Sequence, residues 1–277
     1  MDINDFIIKQ KQLKKFKKEY KSAIPLTNDE IINAMLDYEK AVQLIDLSWD
    51  LNTDSYLDQK KQEIIEEFII AIISFNPNAM YIESTSKNKF RTSLGLKALD
   101  RKLISVTKYI LADKIAGTMT DDLGNNLGIN CAIKHNEELT IAALSNPDAR
   151  TQRCFWLDTI GMKAAQECLP LATEKALSYE DASIQQNASG FNIGMICAMN
   201  IKKNIRMSRC FDMAFLNNIA RSQISNKGDT MESIAKSNNY NTDILYDLYH
   251  IGNKNVDAEL NEYRRHISKS YDIELAK

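Results

Sequence analysis

An all-α fold is predicted by three observations. The chain of 277 residues has only nine glycines and four prolines, too few for an all-β protein, which turns every 8–12 residues or so. Apolar residues recur at alternating spacings of three and four, the signature of one helix face. Pairs such as Thr27 with Glu30 have the spacing of a capping box, in which a hydroxyl accepts an orphan N–H and the acid reaches back. Apolar residues make up 44% of the chain, enough for a core.

Residues 2–22 read as a basic amphipathic helix, with Ile3, Phe6, Ile7, Leu13, Phe16 and Tyr20 between Lys9, Lys11, Lys14, Lys15, Lys17, Lys18 and Lys21. Pro25 stops it. Ile31, Met35, Tyr38, Val42, Ile45 and Trp49 then form a single stripe, widened by Ile32 and Leu36, which predicts a buried Trp49. A third helix runs from Asp54 to Phe75, with Ile64, Phe68, Ile69, Ile72 and Phe75 inward, and ends at Asn76-Pro77. The polar stretch Glu83–Lys89 reads as a loop. A fourth long helix starts at Ser93, carries Leu96, Leu99, Leu103, Val106 and Ile110, and closes at Gly117.

All nine glycines lie at or after position 95, and beyond Gly117 the segments shorten. Helices are expected near 120–134, 137–145, 147–168, 171–177, 179–188, 191–203, 205–224, 230–238, 242–251 and 255–275. Asn146 is a cap ahead of Pro147, and Asp229-Thr230-Met231-Glu232 suggests a second capping box that opens 230–238. The last helix places Val256, Leu260, Tyr263 and Ile267 on one face. Short connections make consecutive helices antiparallel neighbours. The expected architecture is about a dozen helices stacked as antiparallel hairpins, either a degenerate, tetratricopeptide-like solenoid or a compact bundle. No 34- or 40-residue repeat is visible, so neither a tetratricopeptide nor a HEAT consensus is met. The change of texture divides the chain into a long-helix part, 1–116, and a helical-hairpin part, 117–277.

Net charge is −2, so no global field draws nucleic acid or an anionic membrane. The most apolar run, Ile64–Ile73, is interrupted by Glu66 and Glu67 and falls short of the ~20 residues of a membrane span. No signal-peptide core follows the N-terminal lysines. Ile, Lys and Asn, all encoded by A/T-rich codons, account for 84 residues, which suggests an A/T-rich genome such as a bacterium's. The five cysteines, 131, 154, 168, 197 and 210, are odd in number and form no C-x-x-C. They read as reduced core thiols in a cytoplasm, or in a host cytosol if the protein is secreted.

Chemistry-bearing motifs are sparse. Cys131 and His135 stand four apart, the spacing of a thiolate–imidazole pair on one helix face, with Glu137 or Glu138 near enough to orient the ring. They are the catalytic candidates if the protein is an enzyme whose site is assembled from distant residues. His135, His250 and His266 are widely separated and fit no metal motif. The run Thr120–Asn126 lacks the alternation of a calcium loop and reads as a cap or turn. No cofactor is expected. Lys227-Gly-Asp-Thr-Met-Glu-Ser-Ile-Ala235 resembles the opening of a LysM domain, which implies glycan binding, although a helix cap explains the same letters. Residues 233–246 also resemble a helix-turn-helix, but Asp243 and Asp247 stand where a DNA-reading helix needs cations.

The leading expectation is a protein-binding helical scaffold, an adaptor or regulator that recognises or inhibits another protein along a groove of stacked hairpins. In a bacterium it would suit an effector or an effector antagonist. The candidate partner-binding residues are Lys202, Lys203, Arg206 and Arg209, four cations without an acid, followed by Phe211 and Phe215. They imply a partner with an acidic surface. Met195, Met199, Met207 and Met213 lie close by in sequence; methionine recurs at adaptable surfaces, and filling gaps in a core is its more frequent use.

Overall fold

The computed structural model describes residues 58–75, 77–81, 83–85, 91–243 and 245. The expectations for residues 2–22, for the capping box at Thr27, for the stripe ending at Trp49 and for the last helix lie outside them. Among the described residues the chain is helical apart from one short hairpin. It forms two compact units divided between Asp122 and Leu123.

In the first unit, α1 (Asp58–Phe75) leads through a 3-10 turn, Pro77–Tyr81, into a hairpin of β1 (Glu83–Thr85) and β2 (Arg91–Ser93). The strands are antiparallel, with Ser84 opposite Thr92, so residues expected in a loop begin a ladder. Next come α2 (Leu94–Asp100), α3 (Ile104–Leu111) and a 3-10 turn, Ala116–Thr118. The single long helix expected from Ser93 to Gly117 is therefore a hairpin. Lys102, at φ 58°, turns the chain into the left-handed region and breaks it. The apolar stripe survives the break, because Leu96, Leu99, Leu103, Val106 and Ile110 are all buried.

The second unit repeats this pattern. It comprises α4 (Leu127–Ile133), α5 (Glu137–Leu144) and α6 (Pro147–Thr151); then α7 (Ile160–Gln166), α8 (Pro170–Leu177) and α9 (Glu180–Ser183); then α10 (Ile193–Asn200), α11 (Arg206–Phe215) and α12 (Asn218–Ser222); and finally α13 (Met231–Ser237). First helices α4, α7, α10 and α13 pack one on the next, and second helices α5, α8 and α11 form a parallel layer beside them. Two expected helices are split. Residues 147–168 hold α6, a loop and α7, and residues 205–224 hold α11 and α12.

A 33-residue period underlies the stack. The first helices are capped by Ser93, Asn126, Thr159, Asn192 and Thr230, and each side chain accepts the backbone N–H three residues on. The steps are 33, 33, 33 and 38. At Thr230 the reciprocal partner is Ser233, not Glu232: the hydroxyl of Ser233 accepts the Thr230 N–H at 2.9 Å. Gly128, Gly161 and Gly194 recur two residues after their caps. A Cβ at Gly161 would lie 2.6 Å from the Cβ of Ala176 and 2.7 Å from Cδ1 of Ile193. Gly128 meets Ile160 and Ala143 in the same way, and Gly194 meets Met231 and Ala214. Each glycine thus lets the next unit's first helix close on its own.

Asn126 and Asn192 also do more than cap. Their amide nitrogens donate to Ala149 O and Ala220 O, and to Gln152 Oε1 and Gln223 Oε1, pinning the short third helix of their own unit. Two second helices begin at leucines that cannot cap, and a glutamate from elsewhere supplies the acceptor. Glu66 takes the N–H of Ser105 at 2.5 Å. Glu137 takes those of Leu171 and Ala172 at 2.7 and 3.2 Å.

Candidate functional site

Two surface features break the regularity of the array. The first is a lengthened hairpin. From the start of the first helix to the end of the second, α7 to α8 takes 18 residues, Ile160–Leu177, whereas α10 to α11 takes 23, Ile193–Phe215. The cause is visible in the backbone. Lys102, His135 and Cys168 stand 33 apart, and each turns left-handed, at φ 58°, 53° and 56°. The equivalent Ile201 stays right-handed at φ −55°, so the chain runs on before it reverses.

The extra turn carries the basic cluster. Lys202, Lys203 and Arg206 are exposed, and among the described residues they have no ion-pair partner. Arg209 differs, since its Nε lies 3.0 Å from Glu174 Oε1 and ties α11 to α8. Lys203 lies close enough to Cys168 to oppose the rise that burial imposes on that thiol's pKa. Asn204 holds the turn by donating to Cys168 O. Phe211 and Phe215 are not part of this surface. Both are fully buried, 5.5 Å apart, and Phe211 meets the Tyr240 ring edge-on at 5.4 Å. An amphipathic helix must bury one face, and these rings lie on the face that α11 turns to the core. Among the nearby methionines, Met195 and Met207 are core residues, Met213 is half-buried and Met199 is partly exposed.

The second feature is the row of loops linking one unit to the next. Their tips are joined by backbone bonds, from Phe155 N to Leu123 O, Ala188 N to Trp156 O and Asn226 N to Ser189 O. Within each loop a turn closes from Cys154 N to Asp158 O, Asn187 N to Phe191 O and Ser225 N to Asp229 O. Alanine, serine, asparagine and lysine occupy the later tips, but Phe155 and Trp156 occupy this one, 74% and 65% exposed. The sequence predicts a helix over 147–168 here, and the structure has a loop instead. The available signal was that three consecutive apolar residues, Phe155-Trp156-Leu157, cannot share one helix face when each step turns about 100°.

Cys131 and His135 are not brought together. Helix α4 ends at Ile133, so the spacing of four carries no common face. The Cys131 thiol is fully buried, and burial pushes its pKa up to about 12 against the pull of Lys134. The imidazole is exposed, with Nε2 3.6 Å from Glu167 Oε2, a carboxylate also held by Lys163 at 2.8 Å. A protonated buried thiol is not a nucleophile. Glu137 is committed to the N-terminus of α8. Among the described residues no group of three or more His, Cys, Asp or Glu is placed to hold a metal. None of their helices is long and apolar enough to cross a membrane. In the acidic run before α4, Asn126 is the helix cap. The letters that resemble a LysM opening form the corresponding cap of α13.

No family model, no curated protein and no solved structure matches this chain.

Proposed function

We propose that this protein is a binding scaffold that recognises an acidic surface on another protein, with Lys202, Lys203 and Arg206 as the contact. The observation that carries the reading is the coincidence of two departures: the one described unit whose helical hairpin is lengthened is the unit that presents three exposed cations without an ion-pair partner among the described residues. Insertions in repeat arrays map to one face, often the binding face. The 33-residue period and the antiparallel first and second helices are similar to ankyrin-type repeats, with a short third helix added in the connecting segment. Where that consensus has Thr-Pro-Leu-His-x-Ala, this chain has Asn126-Leu-Gly-Ile-Asn-Cys131 and Thr159-Ile-Gly-Met-Lys-Ala164. Stacks of such units offer an extended, rigid surface, suited to recognition.

The charges act chiefly on encounter. Cations on a rim steer an acidic partner and raise the association rate, an effect that salt screens. The test is affinity capture at low and high salt, with the parent and with a Lys202→Glu, Lys203→Glu, Arg206→Glu variant. The expected result is a partner held by the parent, more firmly at low salt, and lost by the variant with its helical spectrum and melting temperature unchanged. Equal capture by both proteins at both salt concentrations would refute the reading. Arg209 is left intact because its bond to Glu174 is structural.

A further inference from the structure

Three of the five cysteines converge on the unit with the lengthened hairpin. Cys197 lies on α10 and Cys210 on the facing α11, both without exposed surface, and their side chains hydrogen-bond to each other. The Cys210 Sγ also lies 3.5 Å from Pro170 O, at the start of α8. Cys168, two residues ahead of that proline, is only half-buried. It is near enough that a charge on it acts on Cys197. Asn204 of the extended turn donates to Cys168 O at 3.3 Å, so the third thiol is fastened to the same hairpin.

The repeat shows that packing alone does not require this pair. One period before Cys197 stands Ala164, and Ala172 holds the place of Cys210 when α8 and α11 are matched at their last residues, Leu177 and Phe215. Both alanines are fully buried, so the same contact of first and second helix is made without sulfur in the preceding unit. In the unit before that, Cys131 holds the first place but Leu139 the second. Among the described units, thiols fill both facing places only here.

We propose that Cys197 and Cys210 are a redox couple, oxidised to a disulfide by hydrogen peroxide that is received at Cys168. The Cys168 thiolate attacks one peroxide oxygen, giving a sulfenic acid and a hydroxide that takes up the thiol's proton as water. The Cys197 sulfur then attacks the sulfenic sulfur. Its proton leaves with the hydroxyl as a second water, and a Cys168–Cys197 disulfide forms. Cys210 displaces Cys168 from that bond by thiol–disulfide exchange, and its proton passes to Cys168. The balance is two thiols and one peroxide to one disulfide and two waters. Burial assigns the roles. It raises the Cys197 thiol well above the ordinary range, so that sulfur stays protonated and away from solvent oxidant. Burial also raises the Cys168 thiol, but Lys203 opposes the rise, and of the three only this sulfur's residue meets solvent. The disulfide closes a loop that contains Lys202, Lys203 and Arg206, so oxidation fastens the extended turn at its base.

The experiment treats the reduced full chain with hydrogen peroxide, blocks the remaining thiols by alkylation and maps tryptic peptides by mass. Trypsin cuts after Lys202, Lys203, Arg206 and Arg209, so Cys197 and Cys210 fall on separate peptides unless they are bonded. The expected product joins those two peptides, and the thiols titrated in denaturant fall from five to three. The oxidised protein should melt about 5 °C or more above the reduced one, because the closed loop constrains the unfolded chain, and dithiothreitol should reverse the shift. Cys168→Ser should reach the same disulfide about tenfold more slowly. Cys210→Ala should accumulate the Cys168–Cys197 link, and Cys197→Ala should stop at a sulfenic acid on Cys168. Both alanine variants should fold, since Ala164 and Ala172 hold the same places one unit earlier. A parent that keeps all five thiols in peroxide overturns the proposal. So does a final link to Cys168 in the parent, or Cys168→Ser oxidising as fast as the parent. The readouts are mass and melting temperature, so the outcome is independent of the acidic-partner reading.

Discussion

Gly161→Ala tests the close packing that sets the repeat. In an ordinary exposed helix this change is favourable by about 1 kcal/mol, because alanine has the better propensity. Here the new methyl would sit 2.6 Å from the Ala176 Cβ and 2.7 Å from Ile193 Cδ1, where carbon atoms normally stand at least 3.5 Å apart. Ala176 cannot move without its helix. Ile193 can rotate only into neighbours that are themselves buried, since it has no exposed surface. Overpacking of this kind costs about 1–3 kcal/mol, and two simultaneous overlaps place it at the upper end. Subtracting the propensity gain leaves a net destabilisation of about 2 kcal/mol. For a unit of this size that lowers the melting temperature by about 4–8 °C. Urea unfolding followed by far-ultraviolet circular dichroism measures it directly. A second substitution, Ile193→Val, removes Cδ1 and should recover part of the loss, so the pair should show coupling in a double-mutant cycle. If Gly161→Ala proves neutral or stabilising, the glycine is not there for helix contact and the account of the 33-residue spacing fails.

Asn192→Ala removes an acceptor for Met195 N and the donor to Ala220 O and Gln223 Oε1. It should cost about 2–3 kcal/mol in denaturant unfolding, more than the ~1 kcal/mol of a simple cap. Because burial raises the Cys131 thiol to about 12 from 9.0, the folded state holds a proton that the unfolded chain releases first. The stability it contributes is complete below pH 9 and falls as pH rises toward 12, by about 1.4 kcal/mol per pH unit. Comparison of the parent with Cys131→Ala at pH 8 and pH 10 should show the parent losing more. Cys131, Cys154, Cys197 and Cys210 are buried and Cys168 is half-buried, so a bulky thiol reagent should label the native protein first at Cys168. Rapid labelling at Cys131 would contradict its burial.

Local chemistry made the helices legible. A cap such as Asn146 before Pro147, or Asn126 before an apolar run, acts within one turn of chain, and its consequences are written in adjacent letters. The repeat was also present in the sequence, in Gly95, Gly128, Gly161 and Gly194 at equal steps of 33. That step matches neither a 34- nor a 40-residue consensus, and the five-residue extension of the fourth unit breaks the register thereafter. Other features were not local. Phe155-Trp156-Leu157 and Phe211 with Phe215 look alike as letters, since both are aromatic and apolar. Which set is buried depends on whether the backbone continues as helix or reverses, and that is fixed by contacts with residues 29 to 32 positions away, Leu123 and Ala188 for the loop, Tyr240 for the core pair. Cys131 and His135 show the same limit, because their spacing gains meaning only if the helix reaches His135, and it stops at Ile133. The sequence by itself determined that the described residues are mostly helical and where most of their helices begin, because caps and apolar periodicity are short-range. The tertiary structure alone decided which aromatic side chains and which cations remain at the surface, because burial is a property of the packed neighbours, not of the residue.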